Sequence, residues 1–131
     1  MADIVLDTHA CLFALGPPER LGAKARRALK EIEIGRGTAW IPAAVVVEII
    51  LLRELGRSSI GVPELMSAMD QVPSLRFLPL DLQQLDEFSA HTSIRDPFDR
   101  LILSACRKVH AKLVTKDRFL QGCGLIQTLW S

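Results

Sequence analysis

Residues 95–105 read Arg95-Asp96-Pro97-Phe98-Asp99-Arg100-Leu101-Ile102-Leu103-Ser104-Ala105. An aspartate followed by a proline marks a helix start. The carboxylate accepts from the orphan N–H groups of the first turn, and proline's fixed φ suits the first helical position, where its missing N–H is not needed. Asp96 is then the N-cap, Pro97 the first helical residue and Asp99 a first-turn acid facing the positive end of the helix dipole. One acid suffices for capping, and this start carries two. The apolar residues that follow recur at helical spacing and predict a helix to about residue 110. Residues 112–115 (KLVT) then read as a short strand ending at Lys116-Asp117. A helix that feeds a short apolar strand is half of a βαβ unit, which points to an α/β fold.

The same alternation runs through the rest of the chain. Residues 3–7 (DIVLD) are a short buried strand ending at Asp7, and residues 8–15 continue as a helix stopped by Gly16-Pro17-Pro18. An amphipathic helix follows over 21–34, with Leu21, Ala25, Ala28, Leu29 and Ile32 as its apolar stripe. Residues 38–41 (TAWI) form a second strand, and Pro42 opens a helix over about 43–56. After a Ser- and Gly-containing loop comes a helix at 63–71, then a third strand at 76–80, placed near a sheet edge by Pro79. Asp81 caps a helix running to about residue 92, and a fifth strand is expected at 125–129 (LIQTL). This order predicts a mainly parallel sheet with helices on both faces, in one domain over residues 1–131.

Composition narrows the function classes. The chain has 131 residues, 49% of them hydrophobic, enough for a real core. Its longest apolar run, 43–52, is interrupted by Glu48 and falls short of a membrane span. The start Met1-Ala2-Asp3 carries no basic or apolar leader, so secretion is not expected. Cys11, Cys106 and Cys123 are odd in number and show no C-x-x-C spacing, which fits a reducing cytoplasm rather than a disulfide framework or structural zinc. The formal charge of +1 neither supports nor excludes nucleic acid, because acids gathered around a metal would hide a basic surface in the sum.

Ligands of open parallel sheets bind outside the carboxyl ends of the strands. Asp7 and Asp117 fall there, Asp96 and Asp99 start the helix feeding the fourth strand, and Glu48 stands alone within Ala44-Val45-Val46-Val47-Glu48-Ile49-Ile50-Leu51-Leu52. A lone buried carboxylate costs several kcal/mol unless it is paired or bound to a metal. Each acid also has a plain structural role open to it: Asp7 and Asp96 as caps, Asp99 as a dipole-favoured acid, Asp117 as a turn residue, Glu48 on a narrow exposed stripe near Arg53 or Arg57. Together they would repel one another unless a divalent cation joined them, and an all-oxygen set suits Mg²⁺ or Mn²⁺ rather than zinc. Such a site suits phosphoryl chemistry with an activated water. Lys24, Arg27, Arg53, Arg57, Arg100, Lys116 and Arg118 are candidates for phosphate contact, or else ordinary solvated charges. Arg100 and Arg118 each follow a candidate ligand directly. His9 lies two residues from Asp7, but no Ser/His/Asp or Cys/His constellation and no phosphate-binding glycine loop stands out.

Asp7-Thr8-His9-Ala10, Glu48 in its apolar helix, Asp96-Pro97-Phe98-Asp99-Arg100-Leu101-Ile102 and Leu113-Val114-Thr115-Lys116-Asp117 together resemble PIN-domain ribonucleases, most of all VapC-type toxins of bacterial toxin–antitoxin pairs. The resemblance implies a three-layer α/β sandwich with strand order 3-2-1-4-5, a Mg²⁺- or Mn²⁺-dependent endoribonuclease, a homodimer, and a cognate antitoxin. It implies Asp7, Glu48, Asp99 and Asp117 as the catalytic acids, with Asp96 a near-site acid or only the cap. In one place the sequence departs from the family. A small hydroxyl residue about four positions before the glutamate is replaced by Ala43-Ala44-Val45, so a hydrogen bond to the site is expected to be missing. Two other readings remain open at this point: a receiver-type phosphoacceptor module, and a PIN-like domain that binds without cutting.

Overall fold

The computed structural model describes residues 2–131; Met1, the first residue of the expected domain, lies outside the described residues. In chain order the elements are β1 (Ile4–Leu6), α1 (Thr8–Leu15), a 3-10 turn (Pro18–Arg20), α2 (Ala23–Glu33), β2 (Ala39–Pro42), α3 (Ala43–Glu54), α4 (Val62–Gln71), β3 (Leu75–Leu78), α5 (Leu82–Ala90), α6 (Pro97–Val109), β4 (Lys112–Val114), α7 (Arg118–Gly122) and β5 (Thr128–Leu129). The strands form one sheet in the order β3-β2-β1-β4-β5, and every neighbouring pair is parallel. Parallel strands need helical crossovers, and these cover the sheet. Ile4, Val5 and Leu6 of central β1 are each at most 2% exposed, so both faces of β1 are covered.

That strand order is the one implied by the resemblance. It also removes the receiver-type alternative, whose doubly wound sheet runs 2-1-3-4-5, whereas here β1 lies between β2 and β4. β3 is at an edge, as Pro79 predicts; the strand stops at Leu78, one residue before the proline that has no N–H to offer a ladder. The last strand is shorter than expected. Only Thr128–Leu129 pair, with Leu113 and Val114, because β4 itself ends at Val114. The carbonyl of Leu125 is instead taken by the Arg107 guanidinium at 3.3 Å. The helix capped by Asp81 ends at Ala90, two residues early, and the strand expected at 38–41 is shifted by one to Ala39–Pro42.

The core explains why the candidate acids have a firm base. On α6, Ile102, Leu103, Ala105 and Cys106 are fully buried, and on α3 so are Val45 and Ile49. Each large apolar side chain buried this way contributes roughly 1.5–3 kcal/mol. The helices that carry Asp99 and Glu48 are therefore anchored by their own inner faces. The chain end is anchored too. The Trp130 carbonyl accepts from Ala25 N–H at 3.0 Å, and a Cβ on Gly22 would stand 2.2 Å from that same oxygen, so only glycine fits there. Among the described residues no helix is long and apolar enough to cross a membrane.

Candidate active site

Asp7 is the first residue past the carboxyl end of β1. One carboxylate oxygen accepts from Thr8 N–H at 2.6 Å, capping α1, and the other accepts from the Thr115 hydroxyl at 2.6 Å. The register that pairs Leu6 with Val114 brings Thr115 beside Asp7. Asp7 N–H also donates to the Val114 carbonyl at 3.1 Å. The Thr115 oxygen accepts from Asp117 N–H at 3.0 Å, so its own proton is directed to Asp7. Asp117 caps α7, accepting from Leu120 N–H at 3.0 Å. Two adjacent strand ends thus deliver two acids linked by one threonine.

The other acids arrive from helices. Glu48 lies in the middle of α3, half-buried, and accepts from the Thr8 hydroxyl at 2.7 Å. It is not on a stripe paired with Arg53, whose guanidinium bonds Glu64 at 3.3 Å. Asp96 is exposed and caps α6 as expected, accepting from Phe98 N–H at 2.8 Å and Asp99 N–H at 3.1 Å. The turn fixed by this cap holds Asp99, half-buried, at the helix start. Asp7, Glu48, Asp96, Asp99 and Asp117 line one open cleft of about 360 Å³, together with Thr8, His9 and Lys116. A larger recess of about 840 Å³ opens at the amino end of the sheet, among Asp3, Glu87, Arg107, His110 and Lys112. Its charges are mixed and its acids do not converge, so the smaller cleft is the candidate site.

Crowded carboxylates raise one another's proton affinity. Asp99 is pushed up to about 7, first by burial and then by the charges of Asp96, Asp117, Asp7 and Glu48. Glu48 is raised by burial and by Asp7 and Asp96, against the opposing hydrogen bond from Thr8. Asp7 is raised mainly by burial; the bonds from Thr115 and Thr8 oppose this, and the Asp117 charge adds to it. The cleft therefore stores repulsion that a hard cation would relieve, and its donors are all oxygens, the set that suits Mg²⁺ or Mn²⁺. Among the described residues, no three or more acid, histidine or cysteine side chains already stand at the spacing of a closed metal site. The donor chemistry fits a divalent ion, and closing around one requires the carboxylates to draw together.

Thr8 and Thr115 are the functional residues that sequence reasoning passed over. They are 3% and 0% exposed, and each hydroxyl points to an acid. Their only sequence signal is position, one residue after Asp7 and two before Asp117. The hydrogen bond expected to be missing near Glu48 is present, because Thr8 of α1 supplies it in place of a hydroxyl on α3 itself. Of the basic candidates, Lys116 lines the cleft. Arg100 does not: its guanidinium donates to the Ile94 carbonyl at 2.9 Å and stacks 4.5 Å from the Phe88 ring centroid, tying the segment before α6 to α5. Arg118 is exposed at the start of α7, outside the cleft lining.

Comparison with known proteins agrees with this architecture. The PIN-domain family model matches residues 4–121. Solved structures with a similar fold include VapBC2 from Rickettsia felis bound to a promoter DNA fragment, at 15% identity, TM-score 0.71, covering 98% of this chain and 99% of that one. A toxin–antitoxin complex from Klebsiella pneumoniae matches at 14% identity and TM-score 0.64, over 96% of this chain and 95% of that one. VapC20 from Mycobacterium tuberculosis, a toxin that cleaves the sarcin–ricin loop, matches at 14% identity and TM-score 0.64, over 95% and 97% of the two chains. No curated protein sequence matches. Since the family match runs unbroken from the first residue of β1 into α7, across both strand ends that carry acids, the chain belongs to the PIN-domain family.

Proposed function

We propose that this protein is a Mg²⁺- or Mn²⁺-dependent endoribonuclease, the toxin of a toxin–antitoxin pair, working in the cytoplasm as a single nuclease domain. The observation that carries the reading is the convergence of Asp7, Glu48, Asp99 and Asp117 on one cleft at the carboxyl end of the sheet, with Asp99 pushed up to about 7 by burial and then by the charges of its neighbours. When bound there, a divalent cation supplies activation of a water, orientation of a phosphodiester and relief of the charge that develops on it. The four carboxylates provide the oxygens that hold it, and no side-chain nucleophile is needed. Asp7 is fixed at both oxygens by Thr8 and Thr115, and Glu48 by Thr8, so these two reach the reaction already oriented. Asp96 serves as the cap that sets the first turn of α6, with its charge felt by Glu48 and Asp99. Lys116, and to a lesser degree the exposed Arg118, would meet the phosphates, whereas Arg100 is held against Ile94 and Phe88.

The partner assignment follows the structural relatives. Those described as toxin–antitoxin complexes support a cognate antitoxin for this chain, and the sarcin–ricin-cleaving relative supports RNA as substrate. Val47, Ile50, Leu51, Leu55 and Met66 are exposed on or just after α3 and on α4, which supports a homodimer. The test is cleavage of a panel of structured RNAs by the purified protein with Mg²⁺, with Mn²⁺ and with chelator, beside Asp7→Asn and Asp99→Asn. Cleavage lost in chelator and in both variants, with growth inhibition lost in parallel, is the expected result. Equal cleavage by both folded variants would overturn the assignment, and calorimetry showing no metal uptake would favour a binding-only domain.

A further inference from the structure

Beside the acidic cleft lies a group of cations and rings that the metal chemistry does not use. Lys116 lines the cleft, and its Nζ stands 5.1 Å from the centroid of the Phe13 ring. Arg20, in the 3-10 turn, places its guanidinium carbon 5.8 Å from the same ring. His9 and Trp130 flank Phe13, with ring centroids at 6.1 and 6.3 Å. Arg20, Lys116 and His9 are exposed, and Trp130 is half-buried. Among the described residues, neither cation takes part in an ion pair. Other basic side chains are engaged elsewhere: Arg53 with Glu64, Lys108 with Asp81, Arg107 with Glu87. Two cations converge on one ring, and neither is held in an ion pair by the carboxylates of the neighbouring cleft. A polyanion passing over them would find both free to meet its phosphates, while the acids next door would push the same polyanion away unless it entered with a cation.

We infer that the strip Lys116–His9–Arg20, floored by the buried Phe13 ring and the half-buried Trp130, is the lane along which a single-stranded RNA leaves the cleft, phosphates over the two cations and a base against the exposed His9 ring. Unpaired bases stack on aromatic surfaces and phosphates follow basic grooves, which is how single strands are held without sequence readout. The lane is continuous with the acid cluster, since Lys116 and His9 line both. It runs toward α1 and the 3-10 turn, away from Arg100, whose guanidinium is turned to Phe88. This inference rests on the nuclease reading of the cleft.

The test measures binding of a labelled twelve-nucleotide single-stranded RNA by anisotropy in chelator, where no cleavage occurs. Arg20→Glu and Arg20→Gln are compared with wild type and with Lys112→Glu, a charge reversal at the opposite end of β4. Arg20→Glu should weaken binding at least ~10-fold and Arg20→Gln by a smaller factor. The dependence of log affinity on log salt should fall by about 0.7 for the lost single-strand phosphate contact. Lys112→Glu should change affinity less than twofold. In Mg²⁺, Arg20→Glu should raise KM while leaving kcat nearly unchanged. Equal effects of Arg20→Glu and Lys112→Glu overturn the lane and leave the nuclease reading standing. Arg20-dependent binding without any cleavage in metal supports the lane and sinks the nuclease reading. Competition by polyglutamate as effective as by RNA also overturns it, by assigning the strip to an acidic protein segment.

Discussion

Removing the charge of Asp99 should stabilise the metal-free protein, although it removes a proposed metal ligand. The carboxyl is pushed from 3.8 up to about 7 in the fold. Between those pH values the folded chain holds a proton that the unfolded chain has released. Stability from this group is thus fully present below about pH 4 and is lost as pH rises through 7. Left unscreened, that separation corresponds to ~4 kcal/mol. Asp99 is half-exposed, and solvent screening brings the figure to roughly 1–2 kcal/mol. Asp99→Asn also forfeits the favourable contact of a first-turn acid with the helix dipole, ~0.5 kcal/mol. The cost of burying the charge, together with the repulsion from neighbouring acids, is the larger effect, so the variant should gain about 1 kcal/mol at pH 8. For a chain of 131 residues that is a rise in Tm of roughly 4 °C. The assay is thermal unfolding in chelator at pH 8 and at pH 4, for wild type and Asp99→Asn. Adding Mg²⁺ at pH 8 should reverse the ranking, because wild type gains stability through linkage to the ion and the variant gains little. A variant no more stable than wild type at pH 8, or one whose gain persists unchanged at pH 4, refutes the account of stored repulsion.

Three further outcomes are expected. Asp96→Asn retains capping ability and should leave both Tm and RNA cleavage close to wild type, while Asp96→Ala should cost ~1 kcal/mol in chemical denaturation; a large loss of cleavage in Asp96→Asn would instead make Asp96 a ligand. Thr8→Val removes the donor to Glu48 and should weaken Mg²⁺ binding about tenfold by calorimetry, with Thr8→Ser restoring it; unchanged affinity would show that this hydroxyl does not position Glu48. Gly22→Ala places a Cβ 2.2 Å from the Trp130 carbonyl oxygen and should cost ~1–3 kcal/mol by displacing the chain end after β5, read out by denaturation and by Trp fluorescence.

The α/β order was legible because short apolar runs and amphipathic helices alternate between strong stop signals. Asp-Pro at 96–97 marked the start of α6 to the residue, and Pro79 placed β3 at an edge. The two-residue β5 was not legible. Residues 125–129 are apolar enough for a longer strand, but strand length is decided by the partner, and β4 is short. The five acids could be named from local signals: Asp7 and Asp117 from strand ends, Asp96 and Asp99 from a helix start, and Glu48 from its isolation in an apolar run. Their company could not: Arg100 directly follows Asp99, yet its side chain turns to Phe88 and the Ile94 carbonyl. Neighbours along a helix project in different directions, so adjacency in sequence says little about which side chain meets the cleft.

The sequence by itself determined the class of fold, the helix cap at Asp96 and the set of acids, because propensity, capping and strand-end position are local properties of a chain. Only the tertiary structure decided how those acids are held. Thr8 reaches across from α1 to Glu48, forty positions along the chain, and Thr115 reaches from the end of β4 to Asp7, at a separation of 108. These bonds exist because a parallel sheet sets β1 beside β4 in one register and a crossover lays α3 against α1. Hydrogen bonds are short-ranged, so no local pattern of residues announces a partner that only packing brings within 3 Å.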